Sequence, residues 1–430
     1  MNRVARVLLV CALAFSVSKS QAVLTLDQCL SQARERSPRL RSAQNAIRAA
    51  ELMHSELRTT GLPQFRLQVN PIYAPFSSRF GYDPVITDGG QLAGAVVVQQ
   101  SLYDAGIRGL KSDQLQTDLQ RLNNAYRMTE RDLVFSVKQA FIETLRSQQE
   151  VQLQQEGVQQ LSDYLEIVKR LSLGGTASYT DVLKTTVQLS NAQIAREKAM
   201  DEYSIAKYSL AELIGGAIDT SFRVNGSLDA VPNGSSDSLL VLSSQDTLGT
   251  LETSIADDEL RSSLYDVEIT QRELWPELAL SADAGYLNSG ENLKLPPAER
   301  SSALGFSVGL VLEVPLISWG ATDLRVQQRQ LVSDNIRLES ELLQRSMTSE
   351  IRKTRLQLLR LRDRLKSIRL NLKYADENFL LTKSKFVGGG ILSLEVLSAQ
   401  QLLADTKLSE LESLAGIQLL NARLEQLTTR

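Results

Sequence analysis

The feature that most constrains this 430-residue chain is that it repeats itself at one offset. Ser101-Leu102-Tyr103-Asp104-Ala105-Gly106 corresponds to Pro315-Leu316-Ile317-Ser318-Trp319-Gly320, 214 positions later. Gly174-Gly175 with Asp181-Val182-Leu183 corresponds to Gly388-Gly389 with Glu395-Val396-Leu397, again at 214. Pro63 before Phe65 answers to Pro276 before Leu278, at 213. Chance likeness between two Leu/Gln-rich helices would not hold turn residues and strand marks at one spacing. The chain therefore reads as two copies of one unit.

Proline placement says what each copy contains. The ten prolines leave residues 85–231 and everything after 315 proline-free. Proline removes a helix donor and clashes with the preceding turn, so long stretches without it, rich in Leu, Gln, Ala, Glu, Arg and Lys, read as long helices. One runs from Ala105 to Ser172 and its counterpart from Trp319 to Phe386, each ~100 Å at 1.5 Å per residue. Ile351, Leu358, Leu365 and Leu372 recur every seven residues, with Leu361 and Ile368 between, which is coiled-coil spacing. The glycines at 174–175 and 388–390 break these helices, and apolar periodicity resumes at once, so each unit holds a helical hairpin with a tight tip. Return helices are expected to about Leu213 and Leu427. Ser37-Pro38 marks the start of a shorter helix ending near Thr60, with a counterpart from about Thr250 to Glu273.

Four segments alternate with period two. Phe65, Leu67, Val69 and Tyr73 share a parity, as do Val96, Val98 and Leu102; Leu278, Leu280, Ala282 and Tyr286; and Leu304, Phe306, Val308, Leu310, Leu312 and Val314. The opposite parities are small or polar. A one-residue slip would exchange the faces, so agreement of the parities under the repeat offset is an independent check. Strands of about ten residues with one apolar face fit outer-membrane strands, although a soluble sandwich gives similar alternation. Tyr103, Trp275 and Trp319 stand at strand ends, where they fit an interfacial aromatic belt or simple packing. The connections at 74–90 and 288–301 read as exposed loops.

The N-terminus reads as a secretory signal peptide, residues 1–22. Arg3 and Arg6 precede a short apolar run from Val7 to Phe15, and Ser20-Gln21-Ala22 is a small-residue cleavage site. That run is too short for a transmembrane anchor, and a lipoprotein signal ending at Cys11 would have a shorter run still. Removing residues 1–22 takes away three basic residues and no acid, moving the net charge from −3 to −6, which argues against a nucleic-acid binder. Cys29 is then the sole cysteine. The remaining organisation is a first repeat at 23–216, an irregular crossing between the halves at 217–249 and a second repeat at 250–430.

Catalytic chemistry is hard to place. His54 is the single histidine and sits within a helix pattern. No Cys/His zinc spacing, Ser-His-Asp set or Walker loop is present, so no enzyme and no cofactor are expected. The basic run from Arg352 to Lys373 surrounds the heptad stripe and reads as a solvated or inter-helix polar face.

The duplicated order, the Ser37-Pro38 start, the Leu-Tyr-Asp-Ala-Gly and Leu-Ile-Ser-Trp-Gly strand-to-helix joins, and the glycine tips followed by Asp/Glu-Val-Leu together resemble the TolC-like outer-membrane factors of efflux and type I secretion. The resemblance covers nearly all of residues 23–430. It implies a mainly α fold with transmembrane β: a homotrimer sharing a twelve-stranded β-barrel in outer-membrane lipid, with helices continuing it into the periplasm as an α-helical barrel. It implies a passive channel partnered by a periplasmic adaptor and an inner-membrane transporter. Adaptor-binding tips would be Gly174, Gly175 and Thr176, and Gly388, Gly389 and Gly390. A periplasmic gate would involve Asp181, Glu395 and Phe386, with Ser398 where a second carboxylate is often found, Ile391 where some members place an Arg, and Phe386 in place of a hydrogen-bonding Tyr. Asp181 and Glu395 also fit ordinary first-turn helix acids. The rival class is a periplasmic coiled-coil scaffold with no membrane span.

Overall fold

The computed structural model describes residues 23–72, 91–215, 221–229, 250–289, 301–388 and 390–429. The expected signal peptide (1–22), Gly389, most of the expected crossing at 217–249, the whole connection at 74–90 and most of that at 288–301 lie outside the described residues. Two compact units emerge. One holds the described parts of Met1–Ser42, Tyr126–Leu251 and Gln344–Arg430; the other holds those of Ala43–Ala125 and Glu252–Leu343.

The second unit contains the four-stranded antiparallel sheet. Strands β2 (Gln64–Ile72), β3 (Gln91–Tyr103), β5 (Glu277–Ser289) and β6 (Ser301–Glu313) lie in that order, so β3 paired with β5 joins the two repeats. The register aligns the expected apolar parities across all four strands: Phe65 opposes Val98, Val98 opposes Ala282, and Ala282 opposes Val308. The next row is Leu67, Val96, Ala284 and Phe306. Side chains of one parity share a face, so one side of the sheet is a continuous apolar surface. It is open: Leu67 is 74% exposed and Phe306 83%. On the opposite parity Arg66 donates to Gln99 Oε1 at 3.1 Å, and the Ser307 hydroxyl donates to Asp283. Gly285 permits the β3–β5 approach, because a Cβ there would meet Ala95 Cβ and the Gly94 carbonyl at 2.8 Å.

The long helices are α3 (Ile107–Leu173) and α6 (Ala321–Val387), each 67 residues. Each begins two residues later than the sequence suggests. Ala105-Gly106 and Trp319-Gly320 adopt left-handed backbone, with φ of 56° and 75° in one join and 52° and 78° in the other. A chain leaving the sheet turns through these pairs before its first helical turn. Ile107 N–H then donates to Asp104 O and Ala321 N–H to Ser318 O, both at 2.9 Å. The Asp104 carboxylate also accepts from the Gly106 and Arg108 N–H groups and from Arg108 Nε.

The first unit packs the lower-numbered turns of α1 (Leu26–Arg36) and α2 (Pro38–Thr59) with α4 (Tyr179–Leu213), α7 (Ser393–Thr428) and the C-terminal parts of α3 and α6. Helix α5 (Leu251–Arg272) belongs to the sheet unit except for its first residue. The Ser37-Pro38 start behaves as expected: Leu40 N–H donates to Ser37 Oγ. Of the heptad stripe, Ile351, Leu358 and Leu365 are buried, the first two at 0% exposure, and Leu361, Ile368 and Leu372 are half-buried. Leu358 and Leu365 join one core with Val137, Phe141, Leu411 and Ile417. Cys29 is a buried free thiol in that core, and burial pushes its pKa from 9.0 up to about 11.

One element was not legible beforehand. Within the crossing, β4 (Arg223–Val224) pairs in parallel with β1 (Val23–Leu24). Gln148 Nε2 donates to Val224 O and Gln418 Nε2 to Leu228 O, which fastens the crossing to α3 and α7.

Candidate functional site: the hairpin tips

Helix α3 ends in a Schellman motif. Gly175, at φ +75°, donates to Ser172 O at 3.1 Å, and Thr176 N–H reaches back to Leu171 O at 2.9 Å. Gly174 donates to Arg170 O. The second tip repeats part of the pattern: Gly388 N–H donates to Ser384 O and Gly390 N–H to Lys385 O at 3.0 Å.

The return helices begin differently. Ser178 caps α4, its Oγ accepting from Thr180 N–H, while the Asp181 carboxylate accepts from Ser178 N–H at 3.1 Å. This reciprocal pair satisfies two orphan amides. Asp181 thus serves its own helix end, the simpler of the two roles expected of it. The equivalent position before α7 is Leu392, which has no side chain able to cap. Glu395, the counterpart of Asp181, is exposed in the first turn and forms no side-chain hydrogen bond or ion pair among the described residues. Its backbone N–H donates to Leu392 O. Equivalent carboxylates therefore differ: one is tied to its helix, the other is open to solvent.

Phe386 lies in the interior of the hairpins, 6% exposed, its ring 5.4 Å from that of Tyr164. In this chain it is a packing residue, and Ile391 leans on the same cluster of Leu161, Val168, Phe379, Val396 and Leu403. The polar group at this place comes from Tyr164, which the sequence did not single out. Its hydroxyl shares a 2.9 Å hydrogen bond with Ser393 Oγ, both residues being buried. Burial pushes the Tyr164 pKa up to about 12; the Ser393 hydrogen bond opposes this and the Asp181 charge adds to it. A tyrosine at an inward helix position reads as ordinary core, so its partner 229 residues away leaves no local signal. Between α4 and α7 runs an apolar groove of about 800 Å³, lined by Leu183, Val187, Leu394, Leu397, Ser398 and Leu402.

In the sheet unit, Trp319 is 91% exposed, with Trp275 and Tyr103 about half exposed. No helix among the described residues is long and apolar enough to cross a membrane.

The family model for outer membrane efflux proteins matches residues 29–216 and 255–430. The chain belongs to the outer membrane efflux protein family. Among its relatives, the alkaline protease secretion protein AprF of Pseudomonas aeruginosa is 23% identical over 287 residues, which span 65% of this chain and 57% of AprF. The outer membrane protein TolC of Vibrio cholerae is 23% identical over 342 residues, spanning 76% of this chain and 73% of TolC. The solved outer membrane protein VceC from Vibrio cholerae superposes with a TM-score of 0.78, covering 94% of this chain and 96% of VceC at 14% identity. This outer membrane efflux protein thus has the mainly helical, TolC-like channel fold with its strand pairs, and an outer-membrane location. The family is one of channel proteins and not of enzymes.

Proposed function

We propose that the chain is a passive exit channel that works as a homotrimer in a tripartite efflux pump or type I secretion system. The observation that carries this is the four-stranded sheet whose outer strands, β2 and β6, have no further strand beside them among the described residues. Unpaired backbone groups in hydrocarbon cost several kcal/mol each, so the edges must be closed. Four strands are too few to close alone, since barrels of this type begin at about eight. The antiparallel order leaves β2 and β6 running in opposite directions, so β6 of one copy extends the pattern onto β2 of the next. Two copies would supply eight strands and three would supply twelve; the family favours three.

In this reading residues 1–22 direct export, 23–216 and 250–430 are the repeats, and 217–249 is the equatorial crossing. Tyr103, Trp275 and Trp319 sit at the lipid interface. Gly174, Gly175, Thr176, Gly388, Gly389 and Gly390 meet a periplasmic adaptor that links the channel to an inner-membrane transporter. Glu395 narrows the periplasmic mouth, with Asp181 and Phe386 holding the adjoining helix ends. Native mass measurement in detergent, combined with planar-bilayer recording, tests the assembly. A trimer that conducts is expected. A folded, membrane-inserted monomer that conducts ions would overturn both the stoichiometry and the shared barrel.

A further inference from the structure

The four strands contain four charged residues: Arg66 on β2, Glu277 and Asp283 on β5, and Glu313 on β6. Arg66 is their one base. The register puts all four on the same face of the sheet. Arg66 opposes Val97 and Val97 opposes Asp283, while Glu277 opposes Glu313. Glu277 and Asp283 stand an even number of residues apart on β5, so they point to the same side. That side is the reverse of the apolar rows of Leu67 and Phe306, which carry no charge.

The charged face is open and its charges are held in place without being neutralised. A Cβ added at Gly305 or Gly309, both on this face, would meet nothing within 4 Å. Arg66 is exposed and Asp283 half-buried. Arg66 donates to Gln99 Oε1 at 3.1 Å, and Asp283 accepts from the Ser307 hydroxyl. Both partners are neutral groups, so each bond fixes a side chain and leaves its charge. Arg66, Glu277, Asp283 and Glu313 form no ion pair among the described residues.

Distance decides which charges act together. Arg66 and Asp283 sit two strand spacings apart in one row, ~10 Å, close to the Debye length of about 8 Å at physiological salt. Each therefore reaches into the field of the other, and the row is nearly balanced. Glu277 and Glu313 lie ~20 Å further along the strands, more than two Debye lengths away. They do not compensate Arg66. The sheet thus has a row carrying both signs and, nearer the helices, a row carrying only acids.

We propose that Arg66 and Asp283 line the conducting path through the strands and set its ion preference, Arg66 cancelling the cation preference that Asp283 alone would give. The inference rests on the channel reading above and adds the residues that select among permeating ions. A charge on the lipid side of a membrane strand is costly, whereas a charge on the lumen side tunes selectivity. The uncharged apolar face therefore takes the lipid, and the face holding all four charges takes the water. Low-dielectric walls focus the field of such charges into the passage, so a fixed charge there acts on ions it does not touch.

The test uses the full chain in planar bilayers, with reversal potentials read across a potassium chloride gradient. Arg66→Gln should raise the potassium-to-chloride permeability ratio roughly 2- to 5-fold, and Asp283→Asn should lower it by a similar factor. The double variant should return close to wild type, which shows that the single changes act through charge and not through misfolding. Facing is checked separately with Cys29→Ala as background. A water-soluble methanethiosulfonate should reduce the current through Gln68→Cys, on the charged face, and leave Leu67→Cys, on the apolar face, unaltered. A wild-type chain that does not conduct would strike the channel reading and this inference with it. Channels that conduct normally but keep one permeability ratio in wild type and both single variants would overturn this inference alone, as would modification of Leu67→Cys in place of Gln68→Cys.

Discussion

Tyr164 Oη and Ser393 Oγ lie 2.9 Å apart, tying the end of α3 to the first turn of α7 across 229 residues of chain. Tyr164→Phe keeps the ring against Phe386 but leaves a buried Ser393 hydroxyl without a partner, at a cost of about 1–3 kcal/mol. Amide hydrogen exchange in the first turns of α7 should accelerate. Adding Ser393→Ala removes the stranded hydroxyl and should recover most of the loss. Equal exchange in wild type and Tyr164→Phe would show that the bond does not hold the tip.

Alkaline pH should destabilise the helical unit in two steps. Burial raises the Cys29 thiol from 9.0 to about 11 and the Tyr164 phenol from 10.0 to about 12. Each folded-state pKa lies above its unfolded value, so the folded chain binds more protons between the two. The stabilisation is complete below the unfolded pKa and is lost as pH rises through the folded one. Urea midpoints should fall from pH 9 to 11 for the thiol, and from pH 10 to 12 for the phenol. Cys29→Ala should flatten the first part of that slope, whatever it does to absolute stability. A wild-type midpoint constant from pH 9 to 11 would exclude a buried, titrating thiol.

The first tip separates turn formation from docking. Gly175 holds φ at +75° with open space around it, so Gly175→Ala should cost about 1–2 kcal/mol from backbone strain alone. Gly174 has no positive φ, and a Cβ there meets backbone oxygens at an ordinary 3.7 Å. Gly174→Gln should therefore leave the unfolding midpoint unchanged. If an adaptor approaches this backbone closely, the same variant should lose efflux or secretion in cells. Full activity from Gly174→Gln would remove Gly174 from the docking surface.

Glu395 lacks the capping duty that occupies Asp181. Should ring symmetry bring its copies together, the clustered negative charge would attract cations. Single-channel current is then expected to be blocked by divalent cations, and Glu395→Gln should weaken the block several-fold. Asp181→Asn is the contrasting case: it should shift stability through the lost cap, with little effect on block. Identical block in wild type and Glu395→Gln would place the carboxylate away from the conducting path.

Much of this architecture was legible because its causes are local. Proline position, the period-two parity of residues such as Leu67 and Phe306, the heptad of Ile351, Leu358 and Leu365, and the glycine tips each report on a few neighbouring residues. Repetition at an offset of 213–214 marks the strands, long helices and glycine tips twice. Tertiary structure decided what depends on distant pairing. It placed β3 beside β5, joined β4 to β1, and set Tyr164 against Phe386 and Ser393. It also separated two carboxylates that the repeat makes equivalent, because Ser178 can cap a helix and Leu392 cannot. The physical reason is one of range: backbone propensity and side-chain period act within a few turns, whereas a contact between positions as distant in sequence as Tyr164 and Ser393 depends on how finished helices pack.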